Sequence, residues 1–247
     1  MLGTFADEDT ALISSTAALE IYRRAQAVAR LALEEIQAEI RPGVTERDLA
    51  SACIRIMDAS GSTGYWWYST PAYVLAGDRL RLSVEGNAYV PAELPLAEDD
   101  MVTIDIHPEI DGCWGDCARS FFLRGGRLVD AKEAGAAQAE GIVAEAAVHA
   151  LVTDAARPDM TFRELHALIE QELILRGFEN LDFLGNFGHS IGADVRNRTF
   201  LDAHCDAQLD SVPLFTVEPH IAKPGERLAF KHEEVYRFGE GRRLELL

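Results

Sequence analysis

The chain is poor in cysteine and has no long apolar run. Its 247 residues include four cysteines, Cys53, Cys113, Cys117 and Cys205, and none forms a Cys-x-x-Cys pair. A chain this long does not need disulfide staples, so the expectation is reduced thiols in a cytoplasmic protein. No apolar stretch reaches the roughly 18 residues of a membrane span. Residues 1–10 lack the basic region followed by an apolar run that marks a secretory signal. Basic residues are also scarce. There are 23 Lys and Arg against 41 Asp and Glu, a formal net charge of −18. No basic cluster reverses this locally, so phosphate backbones and anionic membranes are repelled. Nucleic-acid and membrane partners are therefore not expected.

What remains is ordinary for a globular chain: 48% apolar and 26% charged residues, enough for a sizeable core. A weak internal duplication runs through it at a spacing of about 115 residues. Arg41-Pro42-Gly43-Val44-Thr45-Glu46-Arg47-Asp48-Leu49 reads like Arg157-Pro158-Asp159-Met160-Thr161-Phe162-Arg163-Glu164-Leu165. In both, Thr is followed three residues later by an acid, the spacing of a helix capping box. Thr103-Ile104-Asp105-Ile106-His107 likewise reads like Thr216-Val217-Glu218-Pro219-His220. Helical periodicity covers 12–40, 46–60, 131–152 and 161–176. Strand-like runs cover 72–84, 101–107, 113–123, 214–221 and 228–238. The pattern predicts one α+β domain over 1–247, built of two pseudo-symmetric helix–sheet halves, about 12–125 and 131–247, with a site between them.

Four acids sit in these strand-like runs: Asp105, Asp116, Glu218 and Glu233. A carboxylate buried in an apolar strand is costly unless a cation meets it. Pro108, Asp111 and Gly112 suit a turn that brings Asp105 beside Asp116, and two adjacent carboxylates repel unless a cation lies between them. Four carboxylates with the imidazole of His189 form a hard, mixed donor set. It suits Mn, Fe, Co or Zn better than Ca, and it is large enough to bridge two divalent ions.

At these residues the chain resembles the pita-bread metallopeptidases, the family of methionine aminopeptidase, aminopeptidase P, prolidase and creatinase. Asp105 and Asp116 stand at the Asp-x10-Asp spacing, and Asp116-Cys117-Ala118-Arg119-Ser120-Phe121 resembles Asp-x-x-Arg-Thr-Phe. Gly188-His189-Ser190-Ile191-Gly192, Thr216-Val217-Glu218-Pro219 and His232-Glu233-Glu234-Val235 match the remaining signatures. The resemblance spans about 15–245 and implies the pita-bread fold. It also implies five metal ligands, Asp105, Asp116, His189, Glu218 and Glu233, two divalent ions, and a proton-accepting role for Glu218. The N-terminal domain of prolidase and creatinase has no counterpart here. The implied activity is hydrolysis of an amide bond, by an aminopeptidase of the Xaa-Pro or methionine type. A small-metabolite C–N hydrolase of the creatinase kind is the alternative, and a catalytically silent binding protein the third reading. A small peptide or amide is the expected partner, and exposed strand edges could support a homodimer.

The chain departs from the family at two positions. Relatives carry a non-ligand histidine about 17 residues before the first Asp; here Asn87-Ala88-Tyr89-Val90 stands there. They carry another seven residues after the metal histidine; here that position is Arg196. His107 and His220, each two residues beyond a ligand, are expected to replace them as proton donors or extra ligands. Arg196 is expected to clamp a substrate carboxylate. Tyr89, Trp66 and Trp67 are expected to wall the pocket.

Overall fold

The computed structural model describes residues 16–192 and 194–247. The N-terminal end of the predicted first helix, 12–15, and the segment 1–10 lie outside them. Helix α1 runs Thr16–Glu35 and α2 runs Glu46–Ala59. Thr45 caps α2 as expected: its hydroxyl accepts from the Asp48 N–H, and the Asp48 side chain accepts from the Thr45 N–H. After α2 come β1 (Gly64–Tyr65) and β2 (Ala72–Ala76). Then follow β3 (Asp100–Ile106), β4 (Pro108–Ile110), β5 (Cys113–Trp114), β6 (Cys117–Arg124) and β7 (Arg127–Val129). Strands β2, β3, β6 and β7 form a four-stranded antiparallel sheet in the order β2-β3-β6-β7. The apolar faces of α1 and α2 pack on it, with Ala29, Leu33, Leu49 and Met57 meeting Val74, Val102, Ile104 and Ile106.

The second half opens with α3 (Ala131–Ala134), α4 (Ala136–Ala155) and α5 (Phe162–Arg176). Gly135, at φ 154°, separates α3 from α4, so the single predicted helix over 131–152 is two. Thr161 caps α5 through a second capping box with Glu164. Each such cap stabilises a helix by about 1 kcal/mol. Strands β8 (Glu179–Asn180), β9 (Phe215–Val217), β10 (His220–Ala222), β11 (Ala229–Lys231), β12 (Glu234–Phe238) and β13 (Leu244–Leu246) complete the chain. They form the sheets β11-β10-β8 and β13-β12-β9. The core of this half joins α4 and α5 to these strands through Val148, Phe162, Leu165, Phe215, Ile221 and Phe230. Strand β11 lies against both β3 and β6, which brings the two halves together.

Three predicted strands are each split in two. The run 113–123 breaks at Gly115-Asp116, 214–221 at Glu218-Pro219, and 228–238 at His232-Glu233. At the first break a Cβ on Gly115 would sit 2.4 Å from the Ala25 carbonyl oxygen, so α1 presses directly on that backbone. At the second, Pro219 has no N–H for a ladder. The run 72–84 ends early, at Gly77, whose φ of 55° leaves the strand region. Three of the four acids thus sit in strand breaks. Asp105 alone lies inside a regular strand.

Candidate metal centre

The breaks deliver the acids to one place. Asp105 pairs across the ladder with Ala118, not Asp116. Asp116 reaches the same cluster because the chain leaves the ladder before β6, held there by Gln26. That side chain donates to the Asp116 carbonyl at 2.7 Å and accepts from its N–H at 2.9 Å. Glu233 is fixed from behind: its N–H donates to the Ala118 carbonyl at 3.1 Å, and Arg119 donates to its carbonyl at 2.8 Å. Arg119 is tied in turn to Glu234.

Three overlapping groups result, in each of which the donor atoms lie within 4.8 Å of one another: Asp105, His107 and Asp116; Asp116, His189 and Glu233; Asp105, Glu218 and Glu233. The five predicted ligands therefore converge, and His107 joins them. Its Nε2 is 3.2 Å from Oδ1 of Asp105. Nε2 of His189 is 3.4 Å from Oε1 of Glu218 and 3.6 Å from Oδ2 of Asp116. Two donors on one transition-metal ion at about 2.1 Å stand roughly 3.0–3.4 Å apart, so these spacings fit shared coordination. Both imidazoles are oriented by backbone carbonyls. Nδ1 of His107 meets the Thr70 carbonyl at 3.0 Å, and Nδ1 of His189 meets that of Ser190 at 3.0 Å. A carbonyl only accepts, so the proton sits on Nδ1 and the Nε2 lone pair faces the carboxylates.

The donor set fits divalent ions on a second count. Oδ1 of Asp105, Oδ1 of Asp116 and both Oε atoms of Glu233 are buried without a hydrogen-bond partner among the described residues. Orphaned buried carboxylate oxygens are expensive unless an ion satisfies them.

Lys231 was not foreseen. At the end of β11, its Nζ lies 2.5 Å from Oδ2 of Asp105 and 3.0 Å from Oε2 of Glu218. This divides the acids into two kinds. Burial opposes ionisation of Asp105, but Lys231 and then His107 hold its carboxyl below the usual range. Burial also opposes Glu218, and Lys231 and His189 overcome it. Asp116 and Glu233 go the other way: burial first, then the neighbouring carboxylates, push both well above the ordinary carboxylate range. Burial lowers His189 to about 4, so its ring is neutral and free to ligate at pH 7. A lysine in an otherwise apolar strand, two residues before Glu233 and so on its side of the pleat, was the signal available in the sequence.

A cleft opens on this cluster. Trp66 and Trp67 line it. Trp66 stacks on Trp114 at 4.5 Å, stands edge-on to His107 at 5.7 Å and His189 at 5.3 Å, and donates Nε1–H to the Gly115 carbonyl. Trp67 leans on His107 at 4.7 Å. His220 also lines the cleft, but it is outside the three donor groups. Its Nε2 lies 2.7 Å from the Leu80 carbonyl, and burial lowers it to about 4.

Two predicted substrate residues lie elsewhere. Tyr89 is buried behind Tyr73, where its hydroxyl accepts from the Val74 N–H and donates to the Val74 carbonyl. That closed pair of bonds makes it a packing residue of β2 and not part of the cleft lining. Arg196 is exposed and points away, bound bidentately to Asp194 at 2.8 and 3.0 Å. A short 3-10 turn over Val195–Asn197 directs Arg198 into the cleft in its place.

The donor groups lie where two helix–sheet layers meet, which is the pita-bread architecture. Residues 20–245 match metallopeptidase family M24, and the chain belongs to that family. Among curated relatives, a methionine aminopeptidase of Helicobacter pylori is 27% identical over 185 residues, covering 73% of this chain and 66% of that protein. An uncharacterised peptidase of Schizosaccharomyces pombe is 26% identical over 220 residues, covering 87% of this chain and 45% of its own length. The chain thus spans about half the length of several curated relatives it matches. Among solved structures, prolidase from Pyrococcus furiosus aligns over 95% of this chain and 64% of its own, with a TM-score of 0.77 and 21% identity. The X-Pro aminopeptidase of Thermotoga maritima aligns over 95% and 62%, with a TM-score of 0.75 and 20% identity. At that identity the structural matches speak to the fold. No described helix is long and apolar enough to cross a membrane.

Proposed function

We propose that this chain is a divalent-metal-dependent peptidase acting on the N-terminal bond of short peptides, of the Xaa-Pro or methionine aminopeptidase type. The observation that carries the reading is the set of four partnerless carboxylate oxygens on Asp105, Asp116 and Glu233, in one cluster with His189 and Glu218. In this reading Asp105, Asp116, His189, Glu218 and Glu233 hold two ions of Mn, Co, Fe or Zn. The bound ions would supply Lewis acidity toward the amide carbonyl and lower the pKa of water.

The remaining steps belong to the protein. Glu218 is held ionised by Lys231, so a carboxylate is ready to take a proton. His107 presents a lone pair on Nε2 beside Asp105. His220 stands along the cleft as a further proton-handling or positioning group. Trp66 and Trp67 screen His107 and His189 from water. The whole of 1–247 acts as one catalytic domain built from the repeats 12–125 and 131–247. Its four free cysteines agree with a reducing, cytoplasmic setting.

A small-metabolite C–N hydrolase is the second reading. It is favoured by the stretch Asn87-Ala88-Tyr89-Val90 and Arg196 standing where relatives carry two substrate-side histidines, since none of these residues lines the cleft. The deciding experiment strips the protein with chelator, restores Mn, Co, Fe or Zn singly, and assays Xaa-Pro and methionyl peptides beside creatine and simple amides. Metal-restored peptide cleavage is expected. Turnover of only the small amides would move the assignment to the second reading. High-affinity metal with no turnover of any substrate would leave a binding protein.

A further inference from the structure

The cleft is rich in carboxylates. Asp105, Asp116, Asp182, Glu85 and Glu218 all line it, and its two cations are Lys231 and Arg198. Lys231 is committed to Asp105 and Glu218. Arg198 is not committed in this way. Its Nε–H donates to the Val195 carbonyl at 2.9 Å, and its guanidinium lies over the rings of Trp66 at 5.5 Å and Phe200 at 5.1 Å. Among the described residues neither terminal nitrogen has an acceptor, and no carboxylate pairs with it. Two residues away, Arg196 is saturated by Asp194.

Stacking fixes the plane of the guanidinium and leaves its outer N–H edge open. That is the geometry that binds a carboxylate bidentately. Trp66 and Phe200 also each contact His189, at 5.3 and 6.4 Å between ring centres. One aromatic ring therefore separates the guanidinium from a member of the donor cluster. Along the Trp66 route the guanidinium is at most about 11 Å from the His189 ring, a width that roughly three extended residues span at about 3.3–3.6 Å each.

We propose that Arg198 is the subsite for the substrate's terminal carboxylate, and that the preferred substrates are short peptides or amides that end in a free carboxylate. This deepens the peptidase reading above and rests on it for the word substrate. Asp182 and Glu85, the cleft-lining acids outside the ligand set, strengthen the selection, because a carboxylate entering beside them meets like charge.

The test compares wild type with Arg198→Met, which keeps an apolar stem over the rings, and with Arg198→Lys. Gly-Pro, Ala-Pro and Met-Ala are each presented as free acid and as C-terminal amide. Equilibrium binding is measured by calorimetry on chelated protein, and kcat/KM on Mn-restored protein. Wild type is expected to prefer acid over amide roughly ten- to hundredfold in both, carried by Kd and KM. The acid-to-amide ratio should fall toward one in Arg198→Met and recover only in part in Arg198→Lys. Equal binding of acid and amide by wild type, no binding of either, or an unchanged ratio in Arg198→Met would each overturn the subsite. Acid-selective binding with no cleavage of any peptide would instead sink the peptidase reading and keep the subsite.

Discussion

Lys231 holds its ammonium 2.5 Å from Oδ2 of Asp105, inside a cluster of acids that would otherwise repel one another. The same group reaches Glu218 at 3.0 Å. Lys231→Met would leave two buried carboxylates unpaired. Breaking such a pair costs about 3–5 kcal/mol, so the chelated variant should melt well below chelated wild type. Added Mn should restore more of that loss in the variant than it adds to wild type, because ions then provide all the compensating charge. Identical melting temperatures in chelator would refute this account of Lys231.

His107→Ala should weaken ion binding while leaving the fold intact. The ring offers Nε2 to the Asp105–Asp116 side of the cluster. We expect the weaker ion to lose about ten- to hundredfold in affinity by calorimetry, the scale on which changes around a metal site act. The visible spectrum of the cobalt form should change with it. Unaltered stoichiometry, affinity and spectrum would make His107 a packing residue.

Glu145 sets a pH dependence remote from the cleft. It is buried on α4, and neither carboxylate oxygen has a hydrogen-bond partner among the described residues. Burial raises it well above the ordinary 4.5, with the Arg119 charge opposing. The folded state therefore favours the protonated acid. Its stabilising contribution is complete below pH 4.5 and is lost progressively as the pH climbs toward the raised value. Each unit of difference is about 1.4 kcal/mol. Glu145→Gln should flatten urea-unfolding stability between pH 5 and 8 and exceed wild type at pH 8. Parallel pH profiles for the two proteins would contradict this.

Gly188 positions His189. Its φ is 154°, and an added Cβ would lie 2.1 Å from the Thr216 carbonyl oxygen. The backbone on both sides is fixed: Thr216 N–H donates to the His189 carbonyl at 2.7 Å, and the His189 N–H to Thr216 Oγ1 at 2.9 Å. Gly188→Ala should destabilise by more than about 3 kcal/mol and reduce bound metal. Gly192→Ala, with nothing within 4 Å of the added carbon, serves as the neutral comparison. Equal stability of the two variants, read by denaturant titration, would remove the steric argument.

Much of the architecture was legible because it depends on local chemistry. The capping boxes at Thr45 and Thr161 follow from one hydroxyl and one acid three residues apart, and both are present. The helices and strands appear near their predicted positions, since periodicity reports which face is buried. The strand breaks at Asp116, Glu218 and Glu233 were not legible. They depend on long-range contacts, such as α1 lying on Gly115 and Arg119 holding Glu233. Tyr89 illustrates the same limit. An aromatic residue gives the same sequence signal in a cleft wall or behind a strand, and only its bonds to Val74 distinguish the two.

The sequence alone determined which acids and which imidazole, in which order, are available to the donor cluster, and hence membership in a metal-dependent family. Those are properties of side-chain type and spacing along the chain. Tertiary structure alone decided which cation each acid meets. It put Lys231 between Asp105 and Glu218, turned Arg198 into the cleft, and left Arg196 on Asp194. Electrostatic partnership depends on distances of a few ångströms between residues far apart in the chain, and those distances exist only after the two halves have packed.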